Sequence, residues 1–197
     1  MQLVLASTSP YRRILLERLQ IPFVTARPDA DETPLPGETP EALANRLARM
    51  KAESLATSYT DALIIGSDQV ATLDDVAPIG KPGNRANAEA QLRAASGQTV
   101  TFYTGLCVIN TTNGQVQQLV DRYEIQIRDL SLEEINAYVD QEQPFDCAGS
   151  FKAEGLGSTL FARHHGSDPT SLIGLPLIAL CECLRQQGFP ILGAGRS

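Results

Sequence analysis

The sequence of 197 residues predicts an α/β fold. Continuously apolar runs of strand length alternate with segments of helical period through the first half, the pattern of β-α-β units. A long hairpin marked by Asn113-Gly114 follows, adding paired strands to the same apolar framework. The length suffices for one large domain or for two lobes sharing a cleft.

In chain order, Leu3-Val4-Leu5-Ala6 reads as a short buried strand. A helix is predicted over residues 10–19, with Ser9 as N-cap, Pro10 at the first helical position, and Ile14, Leu15 and Leu19 as its inner stripe. A second strand is predicted over 21–26, followed by an acidic, proline-rich loop from Asp29 to Gly37. Thr39-Pro40-Glu41 opens a strong helix on which Leu43, Leu47, Met50 and Ser54 share one face, with Lys51 at its edge. Residues 62–65 and 70–73 read as one buried strand interrupted by Gly66-Ser67-Asp68-Gln69. Gly80-Lys81-Pro82 forms a turn before a helix over 84–96, stopped by Gly97.

The hairpin strands are predicted over 100–109 and 116–128. Ser131 and Glu134 form a capping box for a helix reaching about 140. A glycine-rich segment follows 147–151, and an apolar helix is predicted over 175–187 with Pro176 near its start. These elements form one unit over 1–188, and 189–197 reads as a flexible tail. No internal repeat is present.

The net charge of −7 argues against a general nucleic-acid or anionic-membrane binder, which relies on broad basic surfaces. Cys107, Cys147, Cys181 and Cys183 contain no C-x-x-C pair, and His164-His165 has no metal-finger spacing to them. They read as reduced, structural thiols. The start is too short and too quickly basic for a secretory h-region, and no stretch approaches a membrane span, so a reducing cytoplasm is expected.

An anionic ligand must therefore be met locally, and the first helix offers the means. Arg12 and Arg13 occupy a first turn, where the helix dipole favours anions, and a bound phosphate relieves that conflict. The alternative for Arg13 is a surface ion pair with Glu17 at i+4. Asp68, flanked by apolar sequence, is expected to emerge at the end or kink of a core strand as a metal ligand or general base, the alternative being a solvated turn aspartate. Glu32, near Asp29 and Asp31, offers oxygen to Mg²⁺ or Mn²⁺. Lys51, Lys81 and Lys152 each snorkel if taken singly, but with the arginines they can form one basic pocket. No Walker loop, dinucleotide-binding glycine motif or H-E-x-x-H occurs, and His164-His165 reads as part of a polar loop.

Leu5-Ala6-Ser7-Thr8-Ser9-Pro10 with Arg12-Arg13, Asp31-Glu32, the helix bearing Lys51, Gly66-Ser67-Asp68-Gln69, Gly80-Lys81-Pro82, Ala148-Gly149-Ser150-Phe151-Lys152 and Gly174-Leu175-Pro176 stand in an order that resembles the Maf-like nucleoside triphosphate pyrophosphatases. The resemblance covers residues 3–184. It implies a mixed twisted sheet flanked by helices, two lobes around a deep nucleotide-binding cleft, and metal-dependent hydrolysis between the α- and β-phosphates. It also implies Asp68 as general base, Glu32 and Asp68 as metal-site carboxylates, and Ser7, Arg12, Arg13, Lys51, Lys81 and Lys152 as phosphate-side residues. Homodimers are common in such proteins.

Three positions resembling the family's base-selecting residues are Tyr11, Gln69 and Glu154. The dTTP/UTP branch tends to carry Arg, Thr and Gln there, so the chain is similar to the branch acting on 7-methyl-GTP, in which Trp often stands at the Tyr11 position. A carboxylate at Glu154 can accept from guanine N–H donors, and a cationic N7-methylated base suits an aromatic face. The alternatives are a dTTP/UTP pyrophosphatase and a nucleotide-binding regulator of septum formation. The expected role is clearance of modified nucleotides.

Overall fold

The computed structural model describes residues 1–192. Six strands form one open sheet: β1 (Gln2–Ala6), β2 (Val24–Ala26), β3 (Ala62–Thr72), β4 (Thr99–Asn110), β5 (Val116–Ile127) and β6 (Phe161–Gly166). Five α-helices flank it: α1 (Pro10–Glu17), α2 (Pro40–Ala56), α3 (Arg85–Ala95), α4 (Leu132–Glu142) and α5 (Leu177–Gln186). The strand order is β2-β1-β3-β4-β5-β6. β1 runs parallel to β2 and β3, and the remaining pairs are antiparallel, so the sheet is mixed and the fold α/β.

Strand alternation divides the core. Leu3 and Leu5 of β1, Leu63 and Ile65 of β3, and Leu106 and Val108 of β4 pack with Leu15 and Leu16 of α1 and with Leu177, Leu180 and Leu184 of α5. The intervening residues Val4, Ala6, Ile64, Cys107 and Ile109 pack against Ala48 and Ala52 of α2. Helices therefore cover both faces of this half of the sheet. Towards the other end of the hairpin, Val100, Phe102, Tyr123 and Ile125 pack with Phe151. There Leu92 of α3 joins Ile135, Tyr138 and Val139 of α4 in a further cluster.

The caps match the sequence reading. Ser9 accepts from the Arg12 amide, Thr39 from Ala42, and Ser131 with Glu134 completes a capping box. Elsewhere the reading is corrected. β3 is one unbroken strand, and Asp68 lies within it rather than at an end or kink, because the polar Ser67, Asp68 and Gln69 side chains all find partners and do not break the ladder. In α1 the buried pair is Leu15 and Leu16, whereas Ile14 is 55% exposed and the helix ends at Glu17. The predicted polar loop holding His164 and His165 is the edge strand β6. Its exposure on nearly every residue removes the alternation that marks a strand.

All four cysteines are free. The tail expected over 189–197 extends past the described residues from 193 onward, while Phe189 and Ile191 pack against the first core cluster.

Candidate active site

The site begins with how closely α2 lies on the sheet. A Cβ built at Gly66 would fall 2.1 Å from the Ala48 carbonyl oxygen, and one at Gly105 would fall 2.2 Å from that of Ala44. Gly66 and Gly105 stand on neighbouring strands, and α2 answers them with alanines, so helix backbone meets sheet backbone directly. Asp68 points to the same side as Gly66, two residues along β3. This close approach lets Lys51, near the middle of α2, place its amine on the Asp68 carboxylate.

Lys51 Nζ lies 2.5 Å from Asp68 Oδ1 and 2.6 Å from Glu32 Oε1. Lys51 and Asp68 are buried, while Glu32 reaches in from the exposed acidic loop. Burial pushes the Glu32 carboxyl up, but its hydrogen bond to Lys51 and the charges of Lys51, Lys81 and Arg12 outweigh this and leave it below the usual range. Arg12 Nη2 is 4.0 Å from Asp68 Oδ1. Burial lowers the affinity of Arg12 for its proton, and Asp68 and Glu32 oppose that change.

A single carbonyl fixes the arginine. Gly174 O accepts from Arg12 Nε at 2.7 Å and from Ser67 Oγ at 3.0 Å. Gly174 adopts φ of +119°, a region that disfavours a side chain, at the turn before α5. The turn is held by Asp168, which accepts from the Ile178 amide and the Thr170 hydroxyl. Gln69 donates its amide hydrogens to the Ser171 and Leu172 carbonyls at 2.8 and 3.0 Å. Its Oε1 is thereby the atom left to accept from a ligand.

Beside this turn lies a cleft of about 830 Å³. Ser7, Tyr11, Arg12, Glu32, Lys51, Asp68, Gln69, Lys81 and Glu154 all face it. Ser7 Oγ accepts from the Ser9 amide at 3.1 Å, shaping the entry to α1. Lys81 is brought in by the bridge that pairs Ile79 with Ala71 at the end of β3. Tyr11 Oη, also in the cleft, donates to Asp146 Oδ2 at 3.3 Å. Burial, Cys147 and Asp146 hold the Tyr11 phenol protonated. Glu154 is pushed up chiefly by burial, with Glu142 and Asp146 adding to the shift. Burial and Asp146 push the Cys147 thiol up to about 12, so it stays a thiol at neutral pH.

Two expected site residues do not line the cleft. Arg13 Nε pairs with Glu17 Oε1 at 2.9 Å on the exposed side of α1, because consecutive helical residues point about 100° apart and Arg12 takes the inward direction. Lys152 Nζ pairs with Glu142 Oε1 at 3.1 Å and sits 6.0 Å from the Tyr11 ring centroid, supporting the ring rather than forming the wall.

Sequence reading missed Gly105, Ser67, Asp146 and the Gly174 carbonyl as site-building groups. An isolated glycine inside a strand pattern signals close backbone approach, so Gly105 was detectable. Nothing local marks Asp146.

Glu32 and Asp68 bring hard oxygen ligands together, the donor chemistry of Mg²⁺ or Mn²⁺ when substrate phosphates supply further ligands. Among the described residues no cluster of three or more His, Cys, Asp or Glu forms a self-sufficient metal site.

A family model described as Maf-like protein matches residues 2–187. A 7-methyl-GTP pyrophosphatase of Vibrio vulnificus (strain CMCP6) is 53% identical over 192 residues, spanning 98% of this chain and 98% of that protein. These likenesses show that the chain belongs to the Maf-like family.

Proposed function

We propose that the protein is a nucleoside triphosphate pyrophosphatase that hydrolyses 7-methyl-GTP to 7-methyl-GMP and pyrophosphate, clearing modified nucleotides. The observation that carries this reading is the set of side chains that share the cleft. Arg12 and Lys51 stand against Asp68, Lys81 lies close enough to Glu32 to act on its charge, and Tyr11, Gln69 and Glu154 line the same cleft. The named Vibrio vulnificus relative supports the choice of substrate.

The triphosphate fits the cationic side, where Arg12 offers a planar guanidinium and Lys51 and Lys81 compact charges. Asp68 orients the nucleophilic water and accepts its proton as oxygen attacks the α-phosphorus. Cleavage of the α–β anhydride sends the electron pair to the departing pyrophosphate, whose charge the basic side chains stabilise. Glu32 and Asp68 would hold a divalent cation. When bound, it supplies further neutralisation of phosphate charge. The Glu154 carboxylate and Gln69 Oε1 accept from guanine N–H groups, and the Tyr11 face suits the cationic methylated ring.

No helix among the described residues is long and apolar enough to cross a membrane. The four free thiols support a reducing cytoplasm as the working compartment.

Side-by-side turnover of 7-methyl-GTP, GTP, dTTP and UTP with Mg²⁺ or Mn²⁺ tests the reading. The highest kcat/KM is expected for 7-methyl-GTP, and a preference for dTTP or UTP would overturn it.

A further inference from the structure

The cleft contains a carboxylate that the base-selecting trio does not include. Asp146 stands in the segment after α4, and the Gly83 amide anchors that segment by donating to the Phe145 carbonyl at 3.0 Å. Although 135 positions separate them, Tyr11 Oη donates to Asp146 Oδ2 at 3.3 Å. Cys147 Sγ approaches Asp146 Oδ1 at 3.5 Å. Asp146, Tyr11 and Glu154 all line the cleft.

Two of the cleft's neighbouring acids differ from Asp146 in one respect, whereas Glu154, like Asp146, forms no ion pair among the described residues. Glu142 is neutralised by Lys152, and Glu32 by Lys51. Among the described residues no Lys, Arg or His nitrogen forms an ion pair with Asp146, whose partners are the neutral hydroxyl and thiol. An unneutralised negative charge is therefore fixed beside an aromatic face. The phenol also polarises its ring toward greater negative potential by donating to a carboxylate, and this strengthens the attraction of that face for a cation.

We infer that Asp146 is a specificity-determining residue that reads the positive charge of an N7-methylated purine, acting with the Tyr11 ring against the uncharged purine of the same shape. The inference rests on the proposed substrate. GTP and 7-methyl-GTP share their phosphates and their guanine N–H donors, so contacts to those groups cancel in the ratio of their kcat/KM values. The ratio isolates the methyl group and the charge it brings. Asp146 is exposed, so solvent screens its effect, and salt is expected to weaken the discrimination.

The test compares that ratio in the full-length protein and three variants. Asp146→Asn keeps an acceptor for the Tyr11 hydroxyl and removes the charge; it should lower the ratio about three- to fivefold, the scale of one exposed charge pair, and flatten its salt dependence. Asp146→Glu, which restores the charge, should recover most of the ratio. Tyr11→Phe, which removes the hydroxyl but keeps the charge and a ring, should lower it less than Asp146→Asn. Inhibition by tripolyphosphate should be the same in wild type and Asp146→Asn, verifying that the phosphate side is intact. If wild type discriminates and Asp146→Asn discriminates equally, the inference fails while the substrate reading stands. A wild type that uses GTP as well as 7-methyl-GTP removes the substrate reading, and the inference with it.

Discussion

Lys51 Nζ and Asp68 Oδ1 meet at 2.5 Å, joining the middle of α2 to the middle of β3 at the bottom of the cleft. The same amine holds Glu32, so one buried cation keeps two carboxylates together. Replacing it with Lys51→Met leaves those carboxylates facing each other without a counter-charge. A loss of about 3 kcal/mol in denaturant-measured stability is expected, within the range for breaking a buried pair. Mn²⁺ should raise the melting temperature of Lys51→Met more than that of wild type. Equal rises would show that the amine and the metal ion do not share the carboxylates.

The contact of Lys51 with Asp68 depends on glycines beneath the helix. Gly66→Ala and Gly105→Ala place a methyl group against backbone oxygens of α2 that cannot rotate away. Each should cost about 1–3 kcal/mol, as other overpacked interiors do, and should lower kcat by drawing Lys51 back from Asp68. Gly80→Ala meets nothing within 4 Å and has no positive φ, so its stability should change by less than about 0.5 kcal/mol. Urea titrations of the three variants separate close helix approach from a general intolerance of added methyl groups.

Arg12 and Arg13 are neighbours in sequence with opposite surroundings. Arg12 is held by the Gly174 carbonyl beside Asp68, whereas Arg13 makes an exposed i,i+4 pair. Arg12→Ala should lower kcat/KM by about a hundredfold, the effect of losing one preorganised charge donor. Arg13→Ala should stay within about twofold, because an exposed pair contributes at most about 1 kcal/mol. Steady-state kinetics of the two variants distinguish a single phosphate arginine from a pair.

Two of the acidic groups in the cleft, Glu32 and Glu154, should titrate in opposite senses. Glu32 lies below its ordinary range in the folded protein, so its contribution to stability is complete above that range and is lost as pH falls through the folded value. The melting-temperature difference between wild type and Glu32→Gln should therefore shrink on acidification below the ordinary glutamate range. Glu154 lies above its ordinary range, so folding favours its protonated form. That stabilisation is full below the ordinary range and is lost as pH rises through the folded value. The preference for 7-methyl-GTP over dTTP and UTP, which lack the guanine N–H donors, should accordingly weaken at acidic pH while Glu154 gains its proton. Glu154→Gln should lower use of 7-methyl-GTP more than use of other triphosphates and remove this pH dependence.

Much of this arrangement is legible in the sequence alone. Ser9, Thr39 and Ser131 announced three helices because caps act within one turn of chain. Asn113-Gly114 located the hairpin for the same local reason. The unbroken course of β3 was not legible, since Gly66-Ser67-Asp68-Gln69 has the composition of a turn and its partners lie on α2, β4 and the 171–174 segment. The exposed β6 carried no alternation to read. Among the site residues, the gathering of Ser7, Arg12, Lys51, Asp68 and Lys81 was anticipated from residue type, and the outward turn of Arg13 was the alternative raised by Glu17. Asp146 was invisible because its relation to Tyr11 exists only across the fold.

The role of Asp68 is tested most directly by pyrophosphate release from 7-methyl-GTP in wild type and Asp68→Asn, with binding of a non-hydrolysable analogue measured in parallel. Asp68→Asn should lose at least about a hundredfold in kcat, the scale of a missing general base, while still binding the analogue. Unchanged pyrophosphate release from Asp68→Asn would contradict the assignment of Asp68 as the base.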